Sequence, residues 1–342
     1  MDNLQAPMRN ITLDIYKGLL ISLVVVRHVL QYSVVDEGGI LTNIIWAVQM
    51  PGFMFISGYF AVKDINSLGD VRKRILYSVQ HYALPFLSWF FLIDVFLLGT
   101  YNRNIIIAVN SIVEHIDRGM WFLWVIFVLS CFATVCNYIC TKEKMKVVKM
   151  IVNTGICVSV LLLFVGKYGI NWGGIKFILY YSVFYGAGWL TRRGLNICER
   201  EFVRYWTRIV GIAVVVFAGI VFNYDLYHCE DDFVGITMRC FAGFTGIIIL
   251  MWIAYTYRTF WEKIKMDRLG LYTLEVYTTH MWVNRLMEKG NKSEFFTPAG
   301  FVNFTISLFL TVGFTLILIA ILKSIPLTDF LLYGKKNKRK FI

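Results

Sequence analysis

The stretch that decides the fold is RNITLDIYKGLLISLVVVRHVLQY, running from Arg9 to Tyr32. It is long enough to cross a bilayer as a helix, which takes about 20 mostly apolar residues. Yet it carries Asp14, Lys17, Arg27 and His28. A charged side chain near the centre of a membrane helix costs on the order of 2.5 kcal/mol or more, so such groups face a bundle interior or a wet cavity. Three- and four-residue steps put Asp14, Lys17, Ile21, Val24 and His28 on one helix face. A polar stripe therefore runs through the span, and the rest of the sequence has to say what it serves.

Working outward, 58% of the 342 residues are hydrophobic and 16% charged, against roughly 45–50% and about 25% in a soluble domain. Mean hydropathy is +0.62. Together with several long apolar runs, this indicates an all-α polytopic membrane protein. The alternating segments of about 10 residues that a membrane β-barrel requires are not found. The net charge of +12 does not point to nucleic acid, because the basic residues sit in short connections between apolar runs. The first run reads as a mature helix and not a cleaved leader: it is long, holds a histidine and lacks a small-residue cleavage site. The seven cysteines (Cys131, Cys136, Cys140, Cys157, Cys198, Cys229 and Cys240) contain no Cys-x-x-Cys pair. They read as small hydrophobes, with neither a disulfide framework nor a metal site expected.

Ten spans are expected, at about 12–33, 41–62, 75–98, 120–140, 147–166, 173–190, 208–223, 234–256, 269–287 and 301–322, in a single domain covering 1–342. The connections on the side of Arg9 carry about four times as many Lys and Arg as those on the other side, which places both termini in the cytoplasm of an inner or plasma membrane. The basic tail 334–342, with Lys335, Lys336, Lys338, Arg339 and Lys340, reads as a topology signal against anionic lipid. Within the second span, Pro51, Gly52, Ser57 and Gly58 read first as devices for close helix packing. Ser57 and Tyr59 are secondary candidates for lining a ligand.

Further residues invite chemistry. Arg72, Lys73 and Arg74 enter the third span. Cations there are ordinarily topogenic, but beside the free N–H groups of a helix N-terminus they also suit a phosphate. His81 and Pro85 follow one to two turns inside. Glu114, His115 and Asp117 form the main titratable cluster of the outer side, read first as a solvated loop. Trp121 and Trp124 then fit an interfacial aromatic belt. In the ninth span, Glu275 and His280 are intramembrane ionisable residues five apart, which puts them on different faces. Arg239 reads as a snorkelling side chain. Histidine is the side chain best suited to moving a proton near neutral pH. His28 lies about 22 Å along the helix from Leu13 at the standard rise, in the outer half of the span. A cytoplasmic anion site, a polar path and a deep base together suit a phosphate-bearing donor on one side and an acceptor on the other.

The pattern Arg9-x4-Asp14-x2-Lys17-Gly18 with His28 eleven residues after Lys17 resembles the opening of the acyltransferase-3 membrane family, where Arg usually stands at the position of Lys17. Four more stretches look like that family in its order: Phe53 to Tyr59, the basic entry at 72–74, Trp121-Phe122-Leu123, and Leu269 to His280. The likeness covers residues 9 to about 322. It implies transfer of an acyl group, usually acetyl, from cytoplasmic acyl-CoA to a cell-envelope sugar, with acyl-CoA as a co-substrate and no permanently bound cofactor. By the resemblance His28 is the catalytic histidine, and the cations near 72–74, here adjacent where the family often has Arg-x-x-Arg, hold CoA phosphates.

The residues read the same way. A thioester is already activated, so the remaining demand is a better nucleophile, which His28 supplies as general base or by carrying the acyl group itself. Asp14 is about 21 Å down the same helix and does not reach His28. It is expected to pair with Lys17 or Arg9 at the donor mouth, where Arg9, Asp14 and Lys17 are candidate acyl-CoA-binding residues together with Arg72, Lys73 and Arg74. The partner that orients the imidazole is sought among Glu114, Asp117 and Glu275, and His280 is assigned a supporting place. Arg27 projects about 100° from His28 around the helix, with no role assigned. The expected partners are the bilayer, acyl-CoA and an envelope-glycan acceptor, with no nucleic acid and no expectation for oligomeric state. The rival reading is a transporter or flippase of the same glycan. It calls for inverted repeats and broken helices in matching positions, which the sequence does not display.

Overall fold

The computed structural model describes residues 10–35, 39–114, 120–142, 172–194, 199–229, 232–288 and 292–335, with isolated positions between 155 and 169. The regular elements among the described residues are helices, except for two short strands. In order it runs α1 (Ile11–Ser33), β1 (Val34–Val35), α2 (Ile40–Ala61), α3 (Leu68–Leu97) and α4 (Ile105–Glu114). There follow α5 (Trp121–Lys142), α6 (Ile175–Gly194), α7 (Glu199–Asn223), α8 (Phe233–Thr256), α9 (Arg258–Lys263) and α10 (Met266–Leu269). The last elements are α11 (Thr273–Leu286), β2 (Ser293–Glu294), α12 (Pro298–Ser324) and α13 (Pro326–Tyr333). Among the described residues, α2, α3, α5, α8 and α12 are long and apolar enough to cross a membrane. α1 is equally long at 23 residues but is interrupted by its charged groups.

Several expected boundaries move. α3 begins at Leu68, where Ser67 Oγ caps the helix by accepting from Asp70 N at 3.1 Å. Arg72, Lys73 and Arg74 therefore stand a turn inside the helix, past the free N–H groups of its first turn. The expected outer loop 99–119 contains α4, an apolar helix with Ile105, Ile106 and Ile107 exposed. The expected ninth span resolves into α10, a turn and α11. At 14 residues, α11 is about 21 Å long, too short to cross a bilayer core of about 30 Å. α11 is buried from Glu275 to Thr279, then at His280, Trp282, Val283 and Asn284. Being enclosed by protein, it is not held to the bilayer's thickness. The expected span 147–166 and the tail from 336 fall largely outside the described residues.

The chain divides into two compact units. The first comprises Met1–Phe53, Cys198–Tyr227 and Phe241–Val312. In it, β1 pairs in parallel with β2, Val34 opposite Ser293 and Val35 opposite Glu294. Leu30, Val34 and Ile45 form a core there, with Phe295 and Phe304 packed against it. Asn43 is 3% exposed. Its amide donates to Val221 O at 2.8 Å and Tyr224 O at 2.6 Å, and it accepts from Leu226 N at 2.8 Å. One side chain thus ties down the turn after α7, whose backbone groups have no helical partner.

The second unit comprises Met54–Ile197, His228–Cys240 and Gly313–Ile342. α2 and α6 cross at backbone contact. A Cβ on Gly58 would meet Tyr185 O at 1.9 Å, and one on Gly188 would meet Phe55 O at 1.9 Å. Small residues permit this approach, as expected for Gly58. Asn137 of α5 bridges Ala61 O (2.8 Å) and the indole N–H of Trp189 (3.0 Å). α3 changes to π-helical turns at Val79–Ala83 and Trp89–Leu97 on either side of Pro85. Proline lacks the N–H for the i−4 bond and its ring crowds that carbonyl, so the helix locally widens. α13 is pinned to this region: Gln80 Nε2 donates to Gly334 O at 2.9 Å and Trp89 Nε1 to Leu332 O at 3.0 Å.

Candidate active site: a histidine pair on α1 and α11

The site is built from α1. Asn10 caps its start, Oδ1 accepting from Leu13 N at 3.1 Å. One turn later Lys17 Nζ meets Asp14 Oδ1 at 2.7 Å. This is the expected pairing, with Asp14 only 5% exposed. The stripe continues through Gly18 and Ser22, whose hydroxyl donates to Gly18 O at 2.9 Å. Gly18 and Gly270 then bring α1 and the α10 region together backbone to backbone. A Cβ on Gly18 would lie 2.3 Å from Met266 O, and one on Gly270 1.8 Å from Asp14 O. α10 thus runs antiparallel to α1, four residues back for four forward. The chain reverses after Gly270, and α11 climbs beside α1 to bring His280 to His28.

There the two imidazoles touch. His28 Nδ1 lies 2.9 Å from His280 Nε2 and 3.0 Å from Val24 O. His280 Nδ1 lies 2.6 Å from Val276 O. The ring centroids are 5.0 Å apart with planes tilted by 52°. His280 is fully buried, at 0% exposure, whereas His28 is half-buried. A half-open imidazole anchored through one nitrogen is arranged to exchange a proton at the other.

The contacts that orient His28 in the first unit are this second imidazole and the Val24 carbonyl. Among the described residues of the first unit, no carboxylate contacts His28. Glu275 is buried at 0% exposure but sits five residues before His280, on another face of α11. Glu114 is exposed at the end of α4, in the other unit. Asp117 and Arg9 lie outside the described residues. Arg27, given no role by the sequence, is 5% exposed and its Cζ lies 5.2 Å over the ring of Tyr227. Tyr227 in turn meets Trp46 edge-on at 6.4 Å.

In the second unit, Arg72 and Lys73 are exposed. Lys73 Nζ stands 3.9 Å from Asp70 Oδ1, and Arg74 Cζ lies 5.0 Å from the ring of Tyr77. Two solvent-facing cations beside one held against an aromatic ring make a surface able to take an anion. The Tyr59 hydroxyl accepts from Arg192 Nη1 at 3.1 Å, an interhelical tie. Trp121 stacks on Phe177 at 4.9 Å and on Tyr181 at 5.1 Å. Arg239 lies 5.9 Å from the Tyr180 ring.

Sequence reasoning missed Asn43 and Asn284. Asn284 stands one turn beyond His280, 2% exposed, with its side-chain oxygen accepting from Thr311 Oγ1 at 2.9 Å. The available signal was an amide inside an apolar run, expensive in a membrane unless it is bonded.

A family model described as an acyltransferase domain, of the acyltransferase-3 type, matches residues 10–322. Among curated proteins, the nodulation protein NolL of Mesorhizobium japonicum is 29% identical over 140 residues, covering 35% of this chain and 34% of that protein. NolL of Sinorhizobium fredii is 30% identical over 131 residues, covering 34% of each. Each match thus spans about a third of its relative. No solved structure matches the chain.

Proposed function

Because the chain belongs to the acyltransferase-3 family, a family of membrane acyltransferases, we propose that it is an O-acetyltransferase. It moves an acetyl group from cytoplasmic acetyl-CoA to a hydroxyl of a cell-envelope glycan, with His28 as the catalytic base. The observation that carries the reading is the half-open His28 imidazole backed by buried His280. The family match starts at residue 10, so it includes this helix.

In the reaction, the free ring nitrogen of His28 takes the proton of the acceptor hydroxyl as its oxygen attacks the thioester carbonyl. The new C–O bond forms, the C–S bond breaks, and the CoA thiolate leaves with the proton that His28 returns. Atoms and charge balance without any further reactant. The imidazolium formed on the way keeps its Nδ1–H directed at Val24 O and His280 Nε2, two fixed acceptors for the developing positive charge.

Arg72, Lys73 and Arg74 are the residues we assign to the CoA phosphates, since cations of this kind recognise phosphate by charge and by N–H donation. Asp14 and Lys17 form the polar lining of the cytoplasmic part of α1. Their mutually neutralising pair, Asp14 buried and Lys17 half-buried, holds the helix in place without leaving a net charge in the membrane.

The test compares the surface glycan of cells with and without the gene by mass spectrometry. Loss of acetyl ester on deletion, with the amount of exported glycan unchanged, supports the reading. An unchanged ester content refutes it, and loss of export without loss of ester points to the transporter.

A further inference from the structure

We propose that His280 is a positioning residue: it holds His28 in the tautomer protonated on Nδ1, which leaves the Nε2 lone pair as the reactive one. The inference rests on the reading of His28 as the base, and it follows from counting donors and acceptors along three contacts.

The count begins at the buried end. A backbone carbonyl only accepts, so at 2.6 Å from Val276 O the Nδ1 of His280 must carry a hydrogen. In neutral imidazole one nitrogen donates and the other accepts. His280 Nε2 therefore presents a lone pair to His28. Opposite it, His28 Nδ1 lies 2.9 Å from that lone pair and 3.0 Å from Val24 O, a second acceptor. Only a hydrogen on His28 Nδ1 satisfies both contacts. In the reverse arrangement, His280 would carry hydrogens on both nitrogens, and the bare Nδ1 of His28 would face the Val24 lone pairs. The low-polarity interior disfavours both the extra buried charge and the facing lone pairs.

The anchor repeats itself. Each histidine reaches back to the carbonyl four residues earlier in its own helix, Val24 for His28 and Val276 for His280, so the orientation of both rings is fixed by helix geometry. The chain of contacts, from the Val276 carbonyl through His280 to His28, occupies the place of the carboxylate in a Ser-His-Asp triad. There the third residue fixes the tautomer and does not itself take the proton.

The test uses the full-length protein in membranes, with three substitutions and two readouts. In His280→Leu the acceptor is gone and only Val24 O remains, so kcat should fall by about 10²-fold, with KM for acetyl-CoA little changed. A triad histidine in the wrong tautomer loses about 10⁴-fold. His280→Gln carries an amide oxygen at nearly the reach of Nε2 and should restore kcat to within about 10-fold of wild type. The second readout is the 15N spectrum of histidine-labelled wild-type protein. It should show His28, identified by its absence in His28→Ala, with hydrogen on Nδ1. That measurement does not depend on turnover or on any His280 variant folding.

Wild-type kcat in His280→Leu overturns the proposal. So does a His280→Gln enzyme as slow as His280→Leu, or a His28 protonated on Nε2 in the wild type. Full activity in His28→Ala would instead overturn the base assignment on which the proposal rests.

Discussion

Gly270→Ala probes the scaffold that sets the histidine pair. The added methyl would lie 1.8 Å from the Asp14 carbonyl oxygen and 2.7 Å from its carbon. Both are backbone atoms of α1, so no side-chain rotation relieves the clash. Ordinary contact begins at 3.4 Å, so α1 and the turn before α11 must part by about 1.6 Å to regain it. Overpacking of this kind costs about 1–3 kcal/mol of stability. The functional cost is larger in proportion. His280 is ten residues from Gly270 on the element that would move, and its 2.9 Å contact with His28 does not survive an added 1 Å, since hydrogen bonds fade beyond about 3.2 Å. A misplacement of about 1 Å at a reacting group is worth up to about 10²-fold in rate. The assay pairs thermal unfolding in detergent with acetyl transfer in membranes, normalised to folded protein. Gly219→Ala is the control, because nothing lies within 4 Å of its added methyl, and Ala in a helix interior is favoured over Gly by up to about 1 kcal/mol. Wild-type melting and wild-type transfer in Gly270→Ala would refute the geometry.

Other consequences are checked more simply. Asp14→Asn removes the charged partner of Lys17 at 2.7 Å and should lower stability by about 1.5–3 kcal/mol, seen as a lower midpoint in thermal unfolding, while Lys17→Arg keeps the pair and the activity. Asn137→Ala orphans the Trp189 indole N–H and the Ala61 carbonyl. It should cost about 1–3 kcal/mol for each orphaned group, with transfer per folded molecule unchanged. Replacing Arg72, Lys73 and Arg74 together by Gln should raise KM for acetyl-CoA and flatten its dependence on salt, because screening acts on the charges removed, while kcat stays near wild type.

The helices that are apolar along their length were legible in the sequence. The second span, expected at 41–62, is Ile40–Ala61, the eighth is Phe233–Thr256 and the tenth Pro298–Ser324. Hydropathy alone sets such boundaries, because hydrocarbon tolerates no unpaired backbone. The Asp14–Lys17 pair was legible for the same local reason, since residues three apart share a helix face. The ninth span was not. Leu269 to Met287 has the composition of a membrane helix, but Gly270 turns the chain in backbone contact with Asp14, and only the tertiary neighbour reveals why a glycine stands there. The orienting partner of His28 was sought among carboxylates because triads commonly use them. His280 stands 252 residues away in sequence, a separation no periodicity spans. The cations at 72–74 were seen, but their register depended on the Ser67 cap, which starts the helix seven residues earlier than apolarity predicts.

The central claim is that His28 carries acyl transfer, and one measurement meets it directly. Membranes containing the wild-type protein or His28→Ala, at equal folded amounts, are supplied with acetyl-labelled acetyl-CoA on the cytoplasmic side, and label in surface glycan is counted. The account predicts label with the wild type and background with His28→Ala, with acetyl-CoA binding retained by both. Equal labelling by the two proteins would contradict it.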